Sequence, residues 1–138
     1  PLYSSAASDV YKRQVFYDGP CELLVFPGYD GEMAIMAHHE RMTTSTNIGE
    51  IHFRTPDGEN HVAITSDGLL KVKDNTVELF VFSAEKPEEI DAFRAQEAKE
   101  RAQEQLQQKQ SIMEYHVSRA SLARAMARLR GYDKYNTK

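Results

Sequence analysis

Three arginines and one aspartate carry the best-organised chemistry in this chain. Asp91 and Arg94 lie three apart at the start of one helix-forming stretch, and Arg124 and Arg128 lie four apart on a second. If the two helices fold back as an antiparallel hairpin, the start of the first lies near the end of the second, and the three guanidinium groups converge beside Asp91. Guanidinium forks hold phosphate oxygens in bidentate fashion and a carboxylate accepts from an amino group, so a nucleotide could sit there. The plainer reading is a surface ion pair between Asp91 and Arg94 worth roughly 0.2–0.5 kcal/mol.

Other reactive side chains form no catalytic pattern. His38-His39-Glu40 has zinc-ligand types. Adjacent residues on a strand point to opposite faces, so the two imidazoles would not share an ion; a loop-borne contact surface is expected, and no metal site. Cys21 is the sole cysteine, which excludes an intrachain disulfide and suits a reducing compartment. Neither Cys21 nor any serine sits in a nucleophile elbow or beside a paired base, so no catalytic residue is expected. Turnover by the isolated chain would establish the contrary reading, an autonomous hydrolase.

A formal charge of −4 argues against a nucleic-acid binder of the usual basic kind, and 41% hydrophobic against 28% charged residues, with no Trp, indicates a modest core. That average hides an asymmetry. Between Ser118 and Arg130 stand Arg119, Arg124, Arg128 and Arg130 with no acid, which points to a local acidic partner. An Arg-rich nucleic-acid-binding adaptor is the rival reading; it predicts affinity falling steeply with salt, but no aromatic residues interleave with the arginines. No apolar run approaches the roughly 18 residues that span a bilayer, and the N-terminus lacks a signal-peptide core, so a soluble chain is expected, meeting membranes only indirectly.

These residues need elements to position them. Residues 1–14 lack useful periodicity and join abruptly to Val15-Phe16-Tyr17; they read as a non-native linker or adaptor standing outside the fold, in which case a native first strand is missing. Residues 15–84 read as short strands: 21–26 and 32–37 as a hairpin-like pair, 43–47 as a polar link, then 48–54, 61–66, 69–73 and 76–83, with turns at Pro27-Gly28, Thr55-Pro56-Asp57-Gly58, Asp67-Gly68 and Asp74-Asn75. Such spacing predicts a compact β-sandwich or barrel.

Residues 85–138 read as an antiparallel helical hairpin. Pro87, followed by Glu88, Glu89 and Asp91, marks a helix start. Ala95, Ala98, Ala102 and Leu106 form a thin stripe of mainly small residues that faces a second helix. Ser111 and Glu114 have the spacing of a capping box opening that helix, Tyr115, Ser118, Leu122, Ala125 and Leu129 recur along it, and Gly131 is placed to end it. Residues 107–110 contain no Gly or Pro, so the hairpin could open into a longer helix.

A β-sandwich followed by a helical hairpin resembles the epsilon subunits of bacterial F-type ATP synthases. The likeness runs from about Phe16 to Leu129. It rests on Phe16-Tyr17-Asp18-Gly19, Gly31-Glu32-Met33-Ala34-Ile35 with His39, Gly49-Glu50-Ile51, Ser66-Asp67-Gly68-Leu69-Leu70-Lys71-Val72 and Arg124-Ala125-Met126-Ala127-Arg128-Leu129. Two departures bear on turn geometry: Asp67 replaces the first glycine of the family's S-G-G, and Ala37-His38-His39 replaces its P-G-H.

The resemblance implies a non-catalytic rotor subunit of a proton- or sodium-translocating synthase, peripheral on the cytoplasmic face of the plasma membrane, that ties the gamma subunit to the c-ring. It implies ring contacts at Glu32 and His39. It also implies a regulatory hairpin, permissive when folded and inhibitory when extended into the alpha/beta catalytic hexamer, where Arg119, Arg124, Arg128 and Arg130 would meet an acidic segment. Some bacterial members bind ATP through I/L-D-x-x-R-A, and Ile90, Asp91, Arg94 and Ala95 match every fixed position; Glu85, Arg124 and Arg128 fall where those members have further contacts. No cofactor is then required, and ATP is a regulatory ligand. The same architecture without nucleotide sensing, a purely mechanical coupler, is the alternative.

Overall fold

The computed structural model describes residues 2–7, 15–108 and 111–136, the first segment through its backbone alone. It divides into two compact units, Pro1–Glu85 and Lys86–Lys138.

The first unit is a β-sandwich. Its strands are β1 Leu2–Ala7, β2 Val15–Cys21, β3 Leu23–Gly28, β4 Gly31–Met36, β5 Met42–Thr46, β6 Gly49–Arg54, β7 Asn60–Thr65, β8 Gly68–Lys73, β9 Thr76–Val81 and β10 Ala84–Glu85. One sheet runs β2-β1-β9-β8-β5 and the other β10-β7-β6-β3-β4. Every pairing is antiparallel except β1 with β9. Alternation aims Leu24, Phe26, Ile35, Ile51 and Phe53 of one sheet at Leu70, Val72, Val77, Leu79 and Val81 of the other, which together form the buried core. Asp74 and Asn75 hold φ of 53° and 59°, the doubly left-handed turn that matches strand twist in a two-residue hairpin.

Two segments differ from the sequence reading. Leu2–Ala7, within the segment 1–14 read as standing outside the fold, lies between β2 and β9; residues 8–14 of that segment lie outside the described residues. A ladder requires backbone N–H and C=O groups rather than a hydrophobic pattern, and a Pro-free run can bridge two strand edges whatever its side chains. Residues 43–47 are not merely a link, because Met42–Thr46 pairs along β8 as an edge strand. Threonine is β-branched and suits a strand, and Thr43 and Ser45 face solvent, which hid the alternation behind polar residues.

In the second unit, α1 spans Ala92–Gln107 and α2 spans Ile112–Asn136. The first helix begins later than Pro87: Pro87–Glu89 forms a short 3-10 turn, Ile90 is extended and buried, and Asp91 caps α1. Glu88 and Glu89 therefore lie outside the first turn of α1. Ser111 Oγ accepts from the Glu114 N–H at 3.2 Å, the forward half of the expected capping box. Ser118 Oγ donates to Gln105 Oε1 at 3.3 Å near one end of the pair, and Asn136 Nδ2 donates to the Pro87 carbonyl at 2.6 Å near the other. The helices are thus antiparallel. Gln108 is extended, so α1 stops before the link; residues 109 and 110 lie outside the described residues.

Gly131 does not end α2. Positive φ among the described glycines is confined to Gly31, Gly49 and Gly58, whereas Gly131 is buried inside a helix that continues to the Asn136 contact. Ala127 and Gly131 lie on the side of α2 opposite Ser118 and Ala125, by the rotation of about 100° per residue, so α2 buries two faces. A single stripe described only one of them.

Candidate functional site

Asp91 sits at the N-cap of α1 with β-region backbone (φ −84°, ψ 99°), and its Oδ1 accepts from the Arg94 N–H at 3.1 Å. Its other oxygen stands 4.0 Å from Arg94 Nε, a long contact, and the Arg94 side chain is 81% exposed. Asp91 is therefore first a cap and only second an ion-pair partner. Its carboxylate occupies the positive end of the helix dipole, and Arg94 adds an exposed cation one turn in.

Antiparallel register carries α2 to the same place. Interpolating between the Gln105–Ser118 and Pro87–Asn136 contacts puts Arg94 level with Leu129, within about one residue's 1.5 Å rise of Arg128. Arg94 lies about 100° to one side of the interhelical stripe centred on Ala95 and Ala102; Arg124 and Arg128 lie about 80–120° to the corresponding side of Ser118 on α2. In an antiparallel pair those directions fall on one flank. Arg94, Arg124 and Arg128 thus share a flank next to Asp91. Arg124 Nη2 donates to Ser121 Oγ at 3.2 Å, and Arg128 is half-buried.

The remaining nucleotide candidates are placed otherwise. Ala95 is fully buried, and Ile90 is 5% exposed. Neither side chain therefore offers surface to a ligand. Glu85 belongs to β10 of the sandwich, paired opposite Ile64.

The four α2 arginines do not make one surface. Arg119 and Arg130 lie within about 20° of each other but about 120–140° from Arg124, on the opposite flank. Arg119 lies over the Tyr115 ring, 5.7 Å from its centroid, beside a groove of about 370 Å³ lined by Leu106, Tyr115, Arg119, Leu122, Ala123 and Met126.

Glu32 and His39 also separate. Glu32 is exposed beside the β3–β4 turn, and His39 follows the far end of β4, a strand about 20 Å long. His39 is half-buried with Nδ1 2.8 Å from the Glu40 carbonyl oxygen. Its neighbour His38 adopts φ 64°, and its N–H donates to Asn75 Oδ1 at 2.8 Å, tying this loop to the β8–β9 turn. The left-handed position stands where the resemblance has its glycine; the P-G-H pattern was the signal for it. Among the described residues no group of three or more His, Cys, Asp or Glu is placed to hold a metal.

The ATP synthase delta/epsilon chain models match in both parts, the beta-sandwich domain over residues 8–87 and the long alpha-helix domain over residues 88–131. The chain belongs to this family. Among the family's curated members, the ATP synthase epsilon chain of Ruminiclostridium cellulolyticum is 40% identical over 114 residues, 83% of this chain and 84% of that one. That of Caldicellulosiruptor bescii is 40% identical over 118 residues, covering 86% and 85%. The fold also matches a chain in the OSCP/F1/c-ring structure of Euglena gracilis mitochondrial ATP synthase, with TM-score 0.75, 19% identity and coverage of 92% of this chain and 79% of that chain.

Proposed function

We propose that the chain is the epsilon-type subunit of an F-type ATP synthase central stalk, that it links the gamma subunit to the c-ring without catalysing a reaction itself, and that its closed hairpin binds ATP. Relatives named epsilon chain at 40% identity support the first part. The outer face of the first sheet suits the stalk: Leu69 pairs opposite Phe80, Phe82 follows just past β9, and all three are exposed. The Glu32 end suits the ring better than the His39 end, because Tyr29 and Glu32 there are exposed, whereas His39 is held in its own loop. In this reading the chain meets the cytoplasmic face of the membrane through the complex; among the described residues no helix is long and apolar enough to cross a membrane.

One observation carries the nucleotide reading: the Asp91 cap, Arg94, Arg124 and Arg128 share one flank of the closed hairpin. The phosphates would lie along the guanidinium groups, and Asp91 would accept from an amino group. ATP bound only to the closed form stabilises it by RT ln(1 + [ATP]/Kd), which withdraws population from an extended, inhibitory form. Contacts with the acidic segment of the catalytic hexamer then divide, with Arg119 and Arg130 on one flank and Arg124 and Arg128 on the other. Calorimetric titration of the full chain with ATP, with Arg94→Ala and ADP as controls, tests the site. Saturable binding lost in Arg94→Ala is expected; a folded chain that takes up no ATP at millimolar concentration leaves the mechanical coupler standing.

A further inference from the structure

Among the described residues the sandwich has four edge strands, and they are not equally protected. β2 carries Asp18 and Pro20, and its pairing with β1 is broken by an irregularity at Ala6/Ala7. β10 has only two residues. On β5 the Thr44 hydroxyl donates to the Ser45 carbonyl at 3.4 Å, and the chain leaves that edge when Asn47 N–H donates to the Pro27 carbonyl at 2.8 Å. Proline, irregular pairing, brevity and side-chain cover each blunt an edge against pairing with another chain.

β4 has none of these. Its six residues, Gly-Glu-Met-Ala-Ile-Met, pair with β3 in unbroken register from Gly31↔Gly28 to Met36↔Leu23. Pro27 has no N–H and its carbonyl faces Asn47, so Pro27 and Glu32 are a non-hydrogen-bonded pair. Alternation then directs the backbone groups of Glu32, Ala34 and Met36 away from β3, along the open edge. The side chains of the same three residues are exposed, Met36 at 59%.

We propose that β4 is a docking edge to which a neighbouring subunit adds an extended strand, hydrogen-bonded to Glu32, Ala34 and Met36. Glu32 is the edge's only charge, so the added strand carries a basic residue opposite it and apolar residues along Ala34 and Met36. This inference rests on the reading that the chain joins a stalk and ring assembly.

The test compares amide exchange in the isolated full chain with that in the chain assembled with its stalk and ring subunits. At least tenfold slower exchange is expected at Glu32, Ala34 and Met36, with Met33 and Ile35, already bonded to β3, changing little. Ala34→Pro removes an outward N–H and fixes φ near −65°, which an edge strand tolerates, so the variant should fold and yet incorporate at least tenfold more weakly; Glu32→Lys should weaken incorporation too. An assembled chain whose three outward amides exchange as in isolation overturns the inference and leaves the stalk reading intact. Failure to assemble at all overturns both. The same protection in the isolated chain at high concentration would make the occupant a second copy and overturn it as stated.

Discussion

Gly68→Ala tests the packing of the sandwich at its tightest point. A Cβ built on Gly68 would overlap the Phe80 carbonyl oxygen and lie 2.7 Å from Val81 Cγ1 and 3.0 Å from the Phe80 carbonyl carbon. Two of these three neighbours are backbone atoms of the paired strand, so no rotamer change relieves them. To bring the Phe80 carbonyl oxygen back to ordinary contact, β8 and β9 would have to separate by more than about 1 Å, in a region that also buries Leu70, Leu79 and Val81. Overpacking of a well-packed core costs typically 1–3 kcal/mol, and a collision with backbone belongs at the top of that range, about 3 kcal/mol. Urea denaturation followed by circular dichroism reads this directly: with m near 1–2 kcal/mol/M, the midpoint should fall by about 1.5–3 M at unchanged m. Asp67→Gly is the matched control. Asp67 does not adopt positive φ, so it needs no glycine, and that change should cost only the backbone-entropy difference, about 0.5–1 kcal/mol. A Gly68→Ala loss under about 1 kcal/mol would refute the reasoning.

Three further changes have defined signs. His38→Gly should stabilise the chain by about 0.5–1 kcal/mol in a thermal melt, because a left-handed non-glycine residue carries roughly 1–2 kcal/mol of strain and glycine returns only part of that as entropy. Asp91→Ala should remove about 0.5–2 kcal/mol of hairpin stability with the lost cap, while Asp91→Asn keeps the cap; helical circular dichroism would separate a capping role from a ligand-binding one. The Thr55 hydroxyl, followed by the Glu59 N–H, holds the Asp57 carboxyl below the usual carboxylate range. A depressed folded-state value means stability fully present above about pH 4 and lost as the pH falls through the lower folded value. Proton NMR of the 55–59 turn should show that loosening, and Asp57→Asn should abolish its pH dependence.

Much of this molecule was legible from alternation and turn residues. Ile51 and Phe53 face the core as their spacing demanded, and Asp74-Asn75 turns where a two-residue hairpin needs positive φ. β5 was not, because an edge strand of threonine and serine shows no apolar period although Thr46 is buried. The second compact unit begins at Lys86, beside Pro87, but Pro87 does not start the helix: a cap requires a side chain that reaches the N3 amide, and Asp91 supplies it. Gly131 misled because helix-ending glycines are recognised by left-handed backbone, which sequence does not display. The division of the arginines into two flanks was present in their numbering, since 124 and 128 differ by about 40° of helical rotation and 119 and 130 by about 20°. Finding it required the register set by Gln105–Ser118 and Pro87–Asn136.

The nucleotide reading stands or falls on whether ATP holds the hairpin closed. The measurement is amide exchange along α1 and α2 of the full chain, without nucleotide and with ATP at a hundred times its dissociation constant. Linkage sets the expected size: about 2.7 kcal/mol, or roughly a hundredfold slower opening of the hairpin, absent in Arg94→Ala. Exchange unchanged by ATP at that saturation would contradict the account, because a ligand with equal affinity for both forms shifts neither.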